Sequence, residues 1–197
     1  MFEGEFINGE RNGKGKNYYY DNKLEFEGEY LYNYKKKGKR YYIDGQLEFE
    51  GEYLFNKKWN GKGYDINGNK IYELINGNGK VKEYDEKFGL LSFEGEYLNG
   101  KKNGKGKEYY YGKIIFEGEY LNGKKHGKGK EYVYSNFKYQ NEEYLPEEKR
   151  EKRLEFQGVT LIFEGEYLNG KRHGKGKEYD YQGLSFDVEY LDGKRYK

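Results

Sequence analysis

Apolar and charged positions alternate strictly along residues 93–98. Phe93, Gly95 and Tyr97 occupy one parity, Glu94 and Glu96 the other, and Leu98 closes the run. A period of two places the two sets on opposite faces of a β-strand. Asn99-Gly100 follows, a dipeptide that accepts the positive φ angles of a tight hairpin turn. Beyond it, Gly104-Lys105-Gly106-Lys107-Glu108-Tyr109 alternates again, so the segment predicts a β-hairpin. The same turn signal stands at Asn8-Gly9, Asn122-Gly123 and Asn169-Gly170, with Asp192-Gly193 near the end.

The hairpin is one copy of an internal repeat. Units start near Phe2, Phe26, Phe49, Tyr72, Phe93, Phe116, Tyr139, Phe163 and Phe186, with steps of 21 to 24 residues and a truncated last unit. The period predicts one continuous array over residues 1–197: an all-β, elongated, single-layer antiparallel meander of stacked hairpins. At about 4.8 Å per strand, each unit advances the array roughly 9–10 Å. The unit from Tyr139 keeps the count but carries Glu151 and Arg153 where its second strand should have glycines. Its phase favours a swollen hairpin over a short charged helix started by Pro146.

Composition sharpens this picture. Gly contributes 30 and Tyr 26 of the 197 residues, 37% are charged, and Ala is absent. So few aliphatics would suit a disordered chain, yet 20% aromatic residues would not. The alternation reconciles the two. Rings of one strand are expected to lie over the bare glycine backbone of its neighbour, which a strand otherwise tolerates poorly, while Glu and Lys form a ladder on the opposite face.

The unit Phe116-Glu117-Gly118-Glu119-Tyr120-Leu121-Asn122-Gly123, continued by His126-Gly127-Lys128-Gly129, resembles the MORN (membrane occupation and recognition nexus) repeat. The resemblance runs along essentially the whole chain, with Phe6 or Tyr at a position that is often Trp in the family. It implies an elongated, grooved, twisted sheet of hairpins acting in protein or membrane interactions at cytoskeletal or membrane-associated assemblies.

Little in the chain suggests catalysis, and no enzyme activity is expected. No Cys is present, which removes thiolate nucleophiles, disulfides and Cys-based zinc sites. His126 and His173, the two histidines, share a repeat position with Asn12 and Asn103, which points to turn bonding. Paired Glu such as Glu94 and Glu96 recur beside lysines and read as ladder charge. The run from Gly123 to Lys130 has five residues between its outer glycines where a phosphate-binding P-loop has four, and Glu131 replaces the Mg²⁺-binding hydroxyl. No cofactor or metal site is expected. A net charge of +2 argues against nucleic acid. The start of the chain lacks the regions of a signal peptide, so a cytoplasmic location, peripheral to membrane or cytoskeleton, is the expectation.

Two patterns suggest binding. Turn-side basic residues Lys101 and Lys102, Lys124 and Lys125, and Lys171 and Arg172 would make a basic edge suited to anionic, phosphoinositide-containing membrane or an acidic partner. Rings at Phe93, Tyr97, Phe116, Tyr120, Phe163 and Tyr167 would line an aromatic groove for a peptide or a second sheet. Open strand edges at both ends add self-association to the expected partners. An immunity or antitoxin role, with the long face presented to a toxin, is a further class.

Overall fold

The computed structural model describes residues 1–85, 88–134 and 158–197. The first sheet holds β1 (Phe2–Ile7), β2 (Glu10–Tyr18), β3 (Leu24–Leu31), β4 (Tyr34–Tyr41), β5 (Leu47–Leu54), β6 (Lys57–Tyr64) and β7 (Lys70–Leu74). The second holds β8 (Gly79–Tyr84), β9 (Leu91–Leu98), β10 (Lys101–Tyr110), β11 (Lys113–Leu121), β12 (Lys124–Tyr134), β13 (Val159–Leu168), β14 (Lys171–Tyr179), β15 (Ser185–Leu191) and β16 (Lys194–Arg195). Within each sheet every strand lies antiparallel beside its neighbour in sequence, so the chain is an all-β meander with no α-helix among the described residues.

Turn chemistry follows the dipeptides. Asn8, Asn99, Asn122, Asn169 and Asp192 all have φ near +50°, and the following glycines are positive as well, the signature of the two-residue turns whose twist matches the strands. Two hairpins reach that conformation without glycine, at Tyr32-Asn33 (φ 48 and 68) and Phe55-Asn56 (φ 49 and 64). A left-handed aromatic residue is strained. Replacing Phe55 by Asn, with Asn56 kept because its Oδ1 accepts from the Lys35 N–H at 2.7 Å, should therefore stabilise the fold by about 0.5–1 kcal/mol and raise the melting temperature. A thermal melt of the Phe55→Asn variant checks this.

The register places glycine opposite glycine across each sheet. In the first, Gly4, Gly15, Gly28, Gly38, Gly51 and Gly61 pair in succession and end on Leu74. In the second, Val81 leads into Gly95, Gly106, Gly118, Gly129, Gly165 and Gly176, closed by Val188. Over this spine lie the rings. A Cβ on Gly129 would sit 2.6 Å from Phe116 Cζ, and one on Gly106 would sit 2.8 Å from Phe93. The expected ring-over-glycine packing is what the fold uses.

The rings form a herringbone. Phe93 meets Tyr120 edge-on, Tyr120 meets Phe116, Phe116 meets Tyr167, Tyr167 meets Phe163 and Phe163 meets Tyr190, with centroids 5.2–5.6 Å apart and planes near perpendicular. Such edge-to-face contacts add about 0.5–1.5 kcal/mol each beyond burial. Phe26, Phe49, Phe93, Phe116 and Phe163 are almost wholly buried in this single layer.

Two degenerate units depart from the uniform array. Where the sequence has Leu74 and Val81 in place of spine glycines, β7 and β8 share only the bridge Ile75–Asn78, and the ladder divides into two sheets. Both side chains are buried at the break. Each still pairs with a spine glycine on its outer side, Leu74 with Gly61 and Val81 with Gly95, so the break falls where two side-chain-bearing spine positions would have to meet. The second departure concerns the hairpin expected from Tyr139, which falls largely outside the described residues. On either side of it β12 pairs directly with β13, Gly129 opposite Gly165. Turn Gly170 N–H likewise donates to the Lys125 carbonyl at 2.8 Å, linking the units on either side.

Candidate interaction surface

Among the described residues, six hairpins fold the basic side chain that stands two residues past the turn onto the ring face. A bulge beside Gly104, which has φ +74°, shifts the register between Lys102 and Gly106 and brings Lys102 opposite Tyr97. Lys102 Nζ then lies 4.0 Å from the Phe93 centroid, Lys125 Nζ 4.0 Å from Phe116, and the Arg172 guanidinium 4.2 Å from Phe163. Arg11, Lys35 and Lys58 cap Phe2, Phe26 and Phe49 in the same way. Cation–π contacts of this kind contribute roughly 0.5–2 kcal/mol.

Carboxylates complete the cap. Glu108, opposite Phe93 in the ladder, pairs with Lys102 at 3.4 Å and with Lys125 at 3.2 Å, joining two units. Burial alone would raise its pKa, but Lys125 and Lys102 outweigh that and hold it below the ordinary carboxylate range. A depressed folded pKa stabilises the fold above the unfolded value and loses that contribution as pH falls through the folded one. Arg172 bridges Glu131 and Glu178 in the same fashion.

The six basic turn residues therefore divide. Lys101, Lys124 and Lys171 stay exposed at the hairpin tips, whereas Lys102, Lys125 and Arg172 are half-buried over rings and ion-paired. They do not form one basic row. Of the ring set, Phe93, Phe116, Tyr120, Phe163 and Tyr167 are buried and Tyr97 half-buried with its hydroxyl donating to Glu83 at 2.8 Å. These rings pack on one another and under cations; they do not line an open groove. His126 lies opposite Glu119 in the ladder, and His173 Nδ1 accepts a long 3.4 Å bond from the Asp192 N–H of the next turn. No group of three or more potential metal ligands occurs among the described residues. Nor is any helix among them long and apolar enough to cross a membrane.

The groove lies on the opposite face. In the second sheet it encloses about 940 Å³, floored by the backs of Gly95, Gly106, Gly118, Gly129, Gly165 and Gly176. Two charged rails flank the floor. One runs Lys82, Glu94, Lys107, Glu117, Lys130, Glu164, Lys177, Asp187 through the ladder; the other carries Lys80, Glu96, Lys105, Glu119, Lys128, Glu166 and Lys175. A shorter groove of about 590 Å³ repeats the arrangement on the first sheet. The glycines that leave space for rings on one side leave a bare channel on the other.

Tyrosines brace one rail. Tyr109 donates its hydroxyl to Glu94 at 2.7 Å, Tyr132 to Glu117 at 2.7 Å, Tyr41 to Glu27 at 2.6 Å and Tyr64 to Glu50 at 2.5 Å. Tyr41 is pushed up to about 12 by burial and by its bond to Glu27, and Tyr64 to about 12 chiefly by its bond to Glu50. Burial puts Tyr30 at about 12 as well. Folded values above the free tyrosine value of about 10 mean a contribution that is intact below pH ~10 and lost as pH rises through the folded values. Tyrosinate absorbance from these rings should thus lag and then appear together with loss of the β-sheet circular dichroism. Titration of every tyrosine near pH 10 with an unchanged sheet signal would refute the bracing.

Sequence reading missed the rails as a site, because recurrent Glu and Lys in alternation look like plain solubilising charge. It also had no sign that adjacent lysines of one turn point to different faces. The bulge glycine that opens each Gly-Lys-Gly run, such as Gly104, was the one available signal.

The MORN repeat family matches the chain over residues 2–23, 93–112, 116–133 and 163–185. A search of curated proteins finds no significant match. The matched segments are units with an Asn-Gly turn, yet the hairpins from Phe26 and Phe49 fold alike around Tyr32-Asn33 and Phe55-Asn56.

Proposed function

Because this chain is a MORN-repeat protein, we propose that it is a non-catalytic scaffold that binds a polypeptide partner along the glycine-floored groove. MORN repeats are in general non-catalytic and serve protein or membrane interactions. The single observation that carries the reading is the pair of mixed-charge rails. With Glu and Lys alternating at every strand, the groove suits a chain that carries its charges at intervals, not a densely charged polyanion or a bare apolar chain. It offers acceptors and donors in turn, as a polypeptide backbone requires. Charge of this kind confers selectivity and speed of encounter more than raw affinity. The test is a pull-down with the intact array beside a Lys105→Glu/Lys128→Glu variant. A partner retained by the wild type and lost by the variant supports the groove; equal retention by both overturns it.

A second reading has its own observation. Leu54, Leu98, Leu121 and Leu191 are each 41–59% exposed at the hairpin tips, directly opposite Lys57, Lys101, Lys124 and Lys194. A row of leucines beside lysines suits an anionic membrane surface, where apolar tips enter the headgroup boundary and cations meet phosphate. Co-sedimentation with phosphatidylserine vesicles should fall when Leu98 and Leu121 become Ser, and should fall with salt. Binding indifferent to both would remove the reading.

A further inference from the structure

Along the second sheet the rail nearer the hairpin tips is electrostatically one-sided. Its carboxylates lean away from the floor: a Cβ at Gly104, Gly127 or Gly174 would collide with the Oε2 of Glu96, Glu119 or Glu166. Its lysines do not. Lys80, Lys105, Lys128 and Lys175 are exposed, and none makes an ion pair among the described residues. On the other rail, by contrast, Lys82, Lys107 and Lys130 face Glu94, Glu117 and Glu164 at 3.8–4.0 Å. The groove therefore presents one file of uncommitted cations, on β8, β10, β12 and β14, every second strand.

Every second strand means a spacing of about 9–10 Å. A polyproline II segment advances about 3.1 Å per residue and turns once in three, or about 9.3 Å. One turn of such a segment matches one repeat of this protein. An α-helix does not share that pitch, because 9–10 Å is about six and a half of its residues, not a whole number of its 3.6-residue turns. The groove volume of about 940 Å³ is spread over eight strands, on the order of 34 Å, which leaves room for a single extended chain.

We propose that the groove of the second sheet holds a polypeptide in polyproline II conformation with an acidic side chain at every third residue, each carboxylate facing one lysine of the file Lys80, Lys105, Lys128 and Lys175. The floor-facing column of the segment is small or Pro, since it lies on glycine backbone whose own hydrogen bonds are taken up in the ladder. The carboxylate column reaches the lysine file, and the rail acids on the far side accept from backbone N–H groups. This rests on the polypeptide-groove reading above and adds the register, the sign and the conformation.

Fluorescence anisotropy with synthetic peptides tests it. The probe is a labelled peptide of repeated Glu-Pro-Pro triplets. The comparisons are a peptide of the same length and composition with its Glu residues clustered, and a Lys-Pro-Pro peptide. The triplet peptide is expected to bind about tenfold more tightly than the clustered one, and the Lys peptide far more weakly. Lys105→Gln/Lys128→Gln/Lys175→Gln should lose about tenfold, as several exposed charge pairs vanish together. Lys101→Gln/Lys124→Gln/Lys171→Gln at the tips should bind as the wild type does. All six positions are exposed, so matching melting curves serve as the folding control. Equal affinity for the triplet and clustered peptides, equal binding of the Lys peptide, or full affinity in the rail variant overturns the proposal. A failed register beside a pull-down that still depends on Lys105 and Lys128 leaves the groove reading standing; a pull-down indifferent to them removes it separately.

Discussion

Alanine at Gly118 is expected to cost about 3 kcal/mol or more and to melt the second sheet from its middle. The new Cβ would stand 2.7 Å from Gly129 Cα, 2.7 Å from the Lys128 carbonyl oxygen and 2.8 Å from Phe116 Cζ. None of these can yield. Two are backbone atoms of a strand paired on its far side to β13, and the third belongs to a buried ring. Gly112→Asn is the matched control, because a Cβ there meets nothing within 4 Å and Asn tolerates its φ of +70°. Repeat arrays are coupled chiefly between neighbours, so unfolding need not be all-or-none. Trp59 lies on β6 in the first sheet, against Gly77 of the β7–β8 turn, and so reports that sheet and its junction with the second, not the middle of the second sheet. In the variant, circular dichroism should fall at a lower temperature than the Trp59 fluorescence. Coincident transitions at the wild-type temperature would show that the glycine spine tolerates a methyl group.

Phe116→Ala should be of similar size, about 3–5 kcal/mol, for the opposite reason. The ring is wholly buried, meets Tyr120 and Tyr167 edge-on at 5.6 and 5.2 Å, and lies under Lys125 Nζ. Its loss opens a cavity over Gly118 and Gly129, which have no side chains to fill it. It also strips the apolar platform from Lys125, leaving that cation its ion pair with Glu108, which Lys102 shares. Phe116→Leu should recover some of the loss by filling volume without the edge-to-face contacts or the π face. A melting temperature within a degree or so of wild type for Phe116→Ala would contradict the single-layer ring core.

These expectations mark how far the sequence was legible. Period two along Phe93–Leu98, the Asn-Gly turns and the 23-residue recurrence carry the hairpins, their order and the ring face, because each follows from local sterics. What stayed hidden depends on long-range register. Lys101 and Lys102 are adjacent and chemically alike, and only the bulge at Gly104 sends one to the tip and the other over Phe93. The division into two sheets falls between Leu74 and Val81, two departures from spine glycine that stand out only once glycines are seen to pair across strands. The aromatic set was rightly grouped but placed on the wrong side for a ligand, since a ring that fills the gap left by glycine has no face to spare.

At the hairpin tips, turn residues are strung together by a second set of bonds. Gly77 N–H donates to the Trp59 carbonyl, Gly100 to Gly77, Gly123 to Lys102, Gly170 to Lys125 and Gly193 to Arg172, all at 2.7–2.9 Å. This thread passes without interruption across the gap between β7 and β8, where the ladder itself is reduced to one bridge. The mechanical consequence is that of a book held by its binding. Load applied along the array pulls every interstrand bond lengthwise, so strands separate singly and in turn, and the gap yields before either sheet. The tips stay joined while the far margins open, so the molecule flexes about that seam before it tears.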